Sequence, residues 1–104
     1  MAEPKKNMTA EELLTTLTQA LVDTKAQDVK TYDVRGTSGL TDYFVVATGA
    51  AAPHLKALVK ALPKPYRISG DPESGWIVAD YIDVVVHVFS PEARAYYALE
   101  KLWA

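Results

Sequence analysis

The chain has 104 residues, 49% hydrophobic and 10% aromatic, with a formal net charge of −2 and no cysteine. That length suffices for one self-sufficient core, and the missing cysteines exclude disulfides, thiol catalysis and thiolate-bound zinc. The slightly negative charge argues against a protein that wraps duplex nucleic acid, which needs a clustered cationic surface.

No stretch reaches the roughly 18 apolar residues of a membrane span, and the lysines of Met1-Ala2-Glu3-Pro4-Lys5-Lys6-Asn7 are not followed by a signal-peptide core. The expectation is a soluble, uncleaved, cytoplasmic protein forming a single domain over residues 1–104, with residues 1–8 flexible and no membrane partner. Thr9-Ala10-Glu11-Glu12 fits a capping box and opens a helix. Leu13, Leu14, Leu17, Ala20 and Leu21 give that helix one apolar stripe, which ends near Lys25.

Residues 29–34 read as a short strand, and Tyr-Phe-Val-Val-Ala-Thr at 43–48 as a second one, apolar enough to be central. Between them Gly36-Thr37-Ser38-Gly39 is a turn cluster. Pro53 suits a helix first turn, and Leu55, Leu58, Val59 and Leu62 recur at helical spacing until Pro63 stops the helix. Residues 66–69 form a weak edge strand. Residues 76–81 and 84–89 are β-branched and aromatic runs separated by Ile82-Asp83, which is a hairpin. Ser90-Pro91-Glu92 starts a last helix, whose buried side is expected to be Tyr96, Leu99, Leu102 and Trp103. The order α-β-β-α-β-β-β-α predicts an α/β fold with a mixed sheet of about five strands flanked by helices.

From Asp71 to Asp83 lie four acids, Asp71, Glu73, Asp80 and Asp83, and no base, a local charge of −4 that would steer a basic partner. Strand alternation puts Trp76, Val78 and Asp80 on one face and Ile77, Ala79 and Tyr81 on the other, so only one of the two aromatics can be buried. A solvent-facing Trp76-Val78-Asp80 row would suit an interface anchor. The alternative is a Trp76 that merely covers the core.

For catalysis, Gly36-Thr37-Ser38-Gly39-Leu40-Thr41-Asp42 looks like the turn that nucleotidyltransferases place before a strand bearing paired carboxylates. Residue 44 is Phe where the second acid would stand, and one carboxylate serves magnesium poorly. Asp42 is expected to hydrogen-bond its turn. His87, alone in an apolar strand, reads as a satisfied sheet histidine, His54 as exposed, and Arg94, Glu100 and Lys101 as a solvated helix face. No catalytic residue, metal site or cofactor is predicted.

Three segments together resemble one family: Leu40-Thr41-Asp42-Tyr43-Phe44-Val45-Val46-Ala47-Thr48-Gly49; residues 75–89 around Gly75-Trp76-Ile77-Val78-Ala79-Asp80-Tyr81; and Pro91-Glu92-Ala93-Arg94-Ala95-Tyr96-Tyr97-Ala98-Leu99-Glu100-Lys101-Leu102-Trp103. In order and spacing they are similar to the ribosomal silencing factor (Iojap) family. The resemblance implies a fold related to nucleotidyltransferases without their catalytic carboxylates. It also implies binding to the large ribosomal subunit through its protein numbered fourteen, where occupation blocks joining of the small subunit, with a second role in large-subunit assembly. Family members are bacterial, mitochondrial and plastid, and this short chain resembles a bacterial one.

Two departures stand out: Ala50-Ala51-Ala52-Pro53-His54, where relatives carry Ser and Arg, and Ile82, where many have glycine. A β-branched residue resists the positive φ of a primed hairpin turn, so a different turn is expected at Ile82. The expected partner-binding residues are Leu40, Thr41, Asp42, Tyr43, Trp76, Val78, Asp80 and Tyr81, with no sequence-specific nucleic acid. The alternatives are a degenerate or active nucleotidyltransferase acting on nucleotides or RNA, and a homodimer formed through an exposed hairpin or sheet edge.

Overall fold

The computed structural model describes residues 8–36, 39 and 41–102, without the side chain of Leu102. The expectations for residues 1–7, Thr37, Ser38, Leu40, Trp103 and the Leu102 side chain lie outside the described residues.

Helix α1, Ala10–Asp23, starts on the expected capping box: the Glu12 amide donates to Thr9 Oγ1 at 3.0 Å and the Thr9 amide to Glu12 Oε1 at 2.9 Å. Leu17 and Leu21 are its fully buried residues. Strand β1, Gln27–Asp33, begins two residues before the expected Val29, because a bulge between Gln27 and Lys30, with Asp28 at φ 49°, lets the pairing resume upstream of the apolar run. Strand β2 is Tyr43–Thr48, as expected.

Helix α2, Ala52–Ala61, has no side-chain cap at Ala51. His54 supplies a substitute. Its Nδ1 accepts from the Ala50 amide at 3.0 Å and its Nε2 donates to the Thr24 carbonyl at 2.8 Å, joining the end of α1 to the start of α2. His54 is therefore half-buried and structural, not exposed as its position near the helix start suggested.

Strand β3, Arg67–Asp71, is exposed along its whole length and leads through a short 3-10 turn, Pro72–Ser74, to strands β4, Trp76–Asp80, and β5, Val84–Phe89. The sheet order is β1-β2-β5-β4-β3, with β2 and β5 parallel and the other pairs antiparallel. This is the expected five-stranded mixed sheet.

Helices α1 and α2 cover one face, over Val45, Ala47, Ile77, Ala79, Val84, Val86 and Val88. Helix α3, Pro91–Tyr97, capped by the Ser90 hydroxyl, covers only part of the other face, where Val46, Phe89 and Ala93 form a smaller core with Tyr32, Trp76 and Leu99.

The C-terminal segment differs from expectation. Ala98 adopts a left-handed conformation, φ 47°, and Leu99–Leu102 continue as a 3-10 turn, so helical spacing no longer chooses the buried side. Tyr96 is 81% exposed. Arg94 and Glu100, expected on a solvated face, instead clamp the break. The guanidinium donates to both carboxylate oxygens of Glu100 at 2.8 Å, to Thr48 Oγ1 at 2.7 Å and to the Asp28 carbonyl at 2.8 Å, while Tyr32 Oη donates to Glu100 Oε2 at 2.7 Å. The Arg94 side chain is 11% exposed.

Candidate functional site: the half-covered face of the sheet

Gly75 launches β4. It sits at φ 81°, and a Cβ there would lie 2.7 Å from Ser90 Oγ, the hydroxyl that caps α3. A glycine is therefore required for conformation and for space. This close approach aims Trp76 at the last helix.

The Trp76 ring lies 4.5 Å from that of Tyr97, 5.2 Å from Phe89 and 6.0 Å from His87, centroid to centroid, and its Nε1 donates to His87 Nδ1 at 3.2 Å. Trp76 is thus half-buried, between the two alternatives read from the sequence: its inner part belongs to the small core while the residue keeps solvent access. Val78 and Asp80 share its face and are also half-buried.

His87 is buried, and burial pushes its pKa down to about 4. Because Nδ1 accepts from Trp76, the proton of the neutral ring sits on Nε2, which has no hydrogen-bond partner among the described residues; nor does Thr41 Oγ1. The Phe44 ring lies 5.3 Å from His87.

Other expected interface residues divide. Tyr81 turns to the helix-covered side, donates its hydroxyl to the Pro63 carbonyl and has its pKa pushed up to about 12 by burial. Tyr43 is 8% exposed and faces α1, where its hydroxyl donates to Glu11 Oε2 at 3.1 Å and the Arg35 guanidinium lies 5.3 Å from its ring centre. Strand alternation therefore separates both tyrosines from the Trp76 row. Thr41 is buried, and Leu40 lies outside the described residues. Asp42 does adjoin the hairpin: its amide and that of Tyr43 both donate to the Asp83 carbonyl, at 2.9 and 3.2 Å.

At the hairpin tip Ile82 adopts φ 72°, the positive value its branched side chain resists. The Asp83 amide donates to the Tyr81 carbonyl at 2.8 Å, closing a γ-turn around Ile82, and Asp80 Oδ1 accepts from the Ile82 amide at 2.7 Å. The expectation that Ile82 would avoid a positive φ is therefore not met; the link closes as a γ-turn with the strained φ in place, and Ile82 is left 54% exposed.

The acidic stretch does not form one patch. Asp71 pairs in register with Trp76, and its Oδ1 accepts from the Ser74 amide at 2.8 Å. Asp80 lies at the other end of β4, roughly 13 Å away at strand spacing, opposite Arg67. The local charge of −4 is split between the two ends of the hairpin.

Sequence reasoning missed Phe44, Val85 and His87 as members of this face. Alternation within β2 and β5 places each opposite the helix-covered side, and the parallel register sets Phe44 beside Val85. Because both strands are nearly continuously apolar, the sequence showed no alternation to read. Among the described residues no group of three or more His, Asp or Glu could hold a metal ion, and no helix is long and apolar enough to cross a membrane.

Comparison with known proteins gives this architecture a family. A family model described as "Ribosomal silencing factor during starvation" matches residues 7–104. The ribosomal silencing factor of Zymomonas mobilis is 32% identical, the match covering 98% of this chain and 85% of that protein. That of Halalkalibacterium halodurans is 36% identical over 92% and 89%. A mouse protein named "Mitochondrial assembly of ribosomal large subunit protein 1" is 34% identical over 84% of this chain and 43% of its own length. Among solved structures, a Chromobacterium violaceum protein superposes with a TM-score of 0.88 at 31% identity, covering 92% of this chain and 87% of that one. A Bacillus halodurans protein does so with a TM-score of 0.79 at 35% identity, over 89% and 94%. On these similarities in sequence and overall fold, the chain belongs to the ribosomal silencing factor family.

Proposed function

We propose that this protein is a non-enzymatic translational repressor that docks on the large ribosomal subunit, through the subunit protein numbered fourteen, and sterically prevents the small subunit from joining, acting in the cytoplasm. The observation that carries the docking surface is the face α3 leaves open. Trp76 stands at its border, Val78, Val85 and Phe44 provide half-buried apolar area, and Asp80 adds a charge at one end. An aromatic anchor beside apolar residues with a polar rim is the usual composition of an interface centre. Family membership supports the ribosomal partner, as does the name of the mouse relative, which assigns that protein to large-subunit assembly. A role of this chain in that assembly belongs to the same reading.

We read the fold as related to nucleotidyltransferases with the chemistry absent. Asp42 precedes β2, and the position two residues on is Phe44, whose ring faces His87, so the strand offers one carboxylate where a metal-dependent transferase needs two.

The test is co-sedimentation with purified large subunits, followed by addition of small subunits. Wild-type protein should pellet with large subunits and lower the yield of joined ribosomes. Val78→Arg, at a half-buried position on the open face of β4, should weaken binding at least thirty-fold, about 2 kcal/mol, with a smaller loss of thermal stability than Trp76→Ala. Pelleting unaffected by both Val78→Arg and Trp76→Ala would remove this face from the interface. Light scattering over a concentration series addresses a homodimer through the same face, which would compete with subunit binding.

A further inference from the structure

Helix α2 and the segment that leads from it into the start of edge strand β3 carry charge of one sign. From Ala50 to Gly70 the chain has four bases, Lys56, Lys60, Lys64 and Arg67, and no acid. All four are exposed. Lys56 and Lys60, one turn apart, flank a groove between α2 and β3 that Val59, Ile68, Gly70 and Pro72 also line. Arg67 lies at the β3 edge with its guanidinium 5.6 Å from the centre of the Tyr66 ring, and Tyr66 is 68% exposed. Elsewhere the described arginines, and Lys30, have carboxylates in reach: Lys30 pairs with Asp28, Arg35 with Asp33, and Arg94 with Glu100. Among the described residues Lys56, Lys60, Lys64 and Arg67 form no such pair, as Lys25 and Lys101 also do not, and Arg67 stands opposite Asp80 in the β3–β4 register.

We propose that this surface is a second docking site that takes the phosphate backbone of RNA, contacting ribosomal RNA of the large subunit while the hairpin face engages a subunit protein. The inference rests on the reading above that the chain binds that subunit. The residue types favour a phosphate track. Lysine ammoniums are mobile point charges that bind phosphate without reading sequence. The other exposed residues of α2, Pro53, Ala57 and Ala61, are small and let a backbone approach closely. Tyr66 offers a ring on which an unpaired base can stack, beside the Arg67 cation.

An acidic peptide added as a sixth strand fits less well. Gly70 is at φ 85° with its Cα packed against the Trp76 carbonyl, where a Cβ would lie 2.1 Å from the oxygen, so the β3 backbone departs from regular strand geometry there. Arg67 and Asp71, at the two ends of β3, are charges of the kind that discourage strand addition. The acids Asp71 and Glu73 border the patch, which therefore stays local and does not conflict with a net charge of −2.

The test compares wild type with Lys56→Gln/Lys60→Gln/Lys64→Gln/Arg67→Gln, all at exposed positions. Affinity for purified large subunits is measured between about 50 and 200 mM salt, where phosphate binding dominates the dependence. The slope of log affinity against log salt should shrink by roughly three in the variant, near one for each phosphate that is no longer neutralised. A photo-cross-linking residue at position 60 should attach to ribosomal RNA. An unchanged slope, or cross-linking at position 60 to a ribosomal protein alone, overturns the proposal while leaving the hairpin interface standing. Wild-type protein that fails to bind subunits at any salt overturns both.

Discussion

His87 and Ile82 show how much one position can contribute. The histidine is neutral in the folded chain because burial removes water from its charged form, and its pKa falls to about 4 from an ordinary 6.5. The unfolded chain therefore binds a proton between those values that the folded one does not. Stability attributable to His87 is complete above pH 6.5 and is lost as pH falls toward 4, by about 3 kcal/mol. Urea unfolding from pH 7 to 4 should show that loss, and His87→Phe, which cannot protonate, should remove it. Persistence of the loss in His87→Phe would assign it elsewhere. Ile82 presents the opposite case, a strained position. Ile82→Gly relieves a positive φ that costs a branched residue on the order of 1–3 kcal/mol, less the extra unfolded-state freedom of glycine. The net expectation is a stabilisation of about 1 kcal/mol in urea unfolding, and a destabilised variant would count against strain at this turn.

At the scale of elements, the C-terminal segment is held by side-chain chemistry more than by helix propensity. Helix α3 has seven residues and ends in a left-handed alanine, and the chain returns to the sheet because Arg94 reaches Glu100, Thr48 and the Asp28 carbonyl together. The Arg94 guanidinium holds the Glu100 carboxyl down to about 2, so this clamp survives the acid range in which His87 protonates and is lost only as pH falls from about 4.5 toward 2. Arg94→Met should cost about 2 kcal/mol, the scale of hydrogen bonds to charged groups with a partner left behind. It should also speed amide exchange across residues 98–102 well before the β2 and β5 amides. Uniform exchange over the whole chain would show that the clamp acts globally and not on this segment. Gly75→Ala is expected to be worse tolerated than Ala98→Gly. The first forces a Cβ against Ser90 Oγ at positive φ, whereas the second places glycine where a left-handed residue already sits.

At the scale of the molecule, one sheet serves two ends. Its helix-covered face holds the main core, and its other face is left half open, so the hairpin can be at once structural and available. The consequence for experiment is a separation of effects: Val78→Arg should weaken subunit binding while lowering the melting temperature less than Trp76→Ala does, since Val78 is only half-buried and the arginine head can extend to solvent. Trp76→Ala should lower both, because its ring also stacks on Phe89 and packs tilted against Tyr97.

Much of this arrangement was legible in the sequence. The capping residues and prolines marked the helix starts, the β-branched runs marked the strands, and the three segments carrying the family resemblance named the group to which the chain belongs. Those signals are local, written in residues a few positions apart. Four features needed the tertiary structure: the parallel pairing of β2 with β5, which brings Phe44 to His87; the division of the acidic stretch between two ends of the hairpin; the bridge that His54 makes between two helices; and the fold-back that hides Arg94 while exposing Tyr96. Each depends on partners twenty or more positions apart, or on how strands register, and nothing in local propensity encodes which distant backbone a side chain will meet.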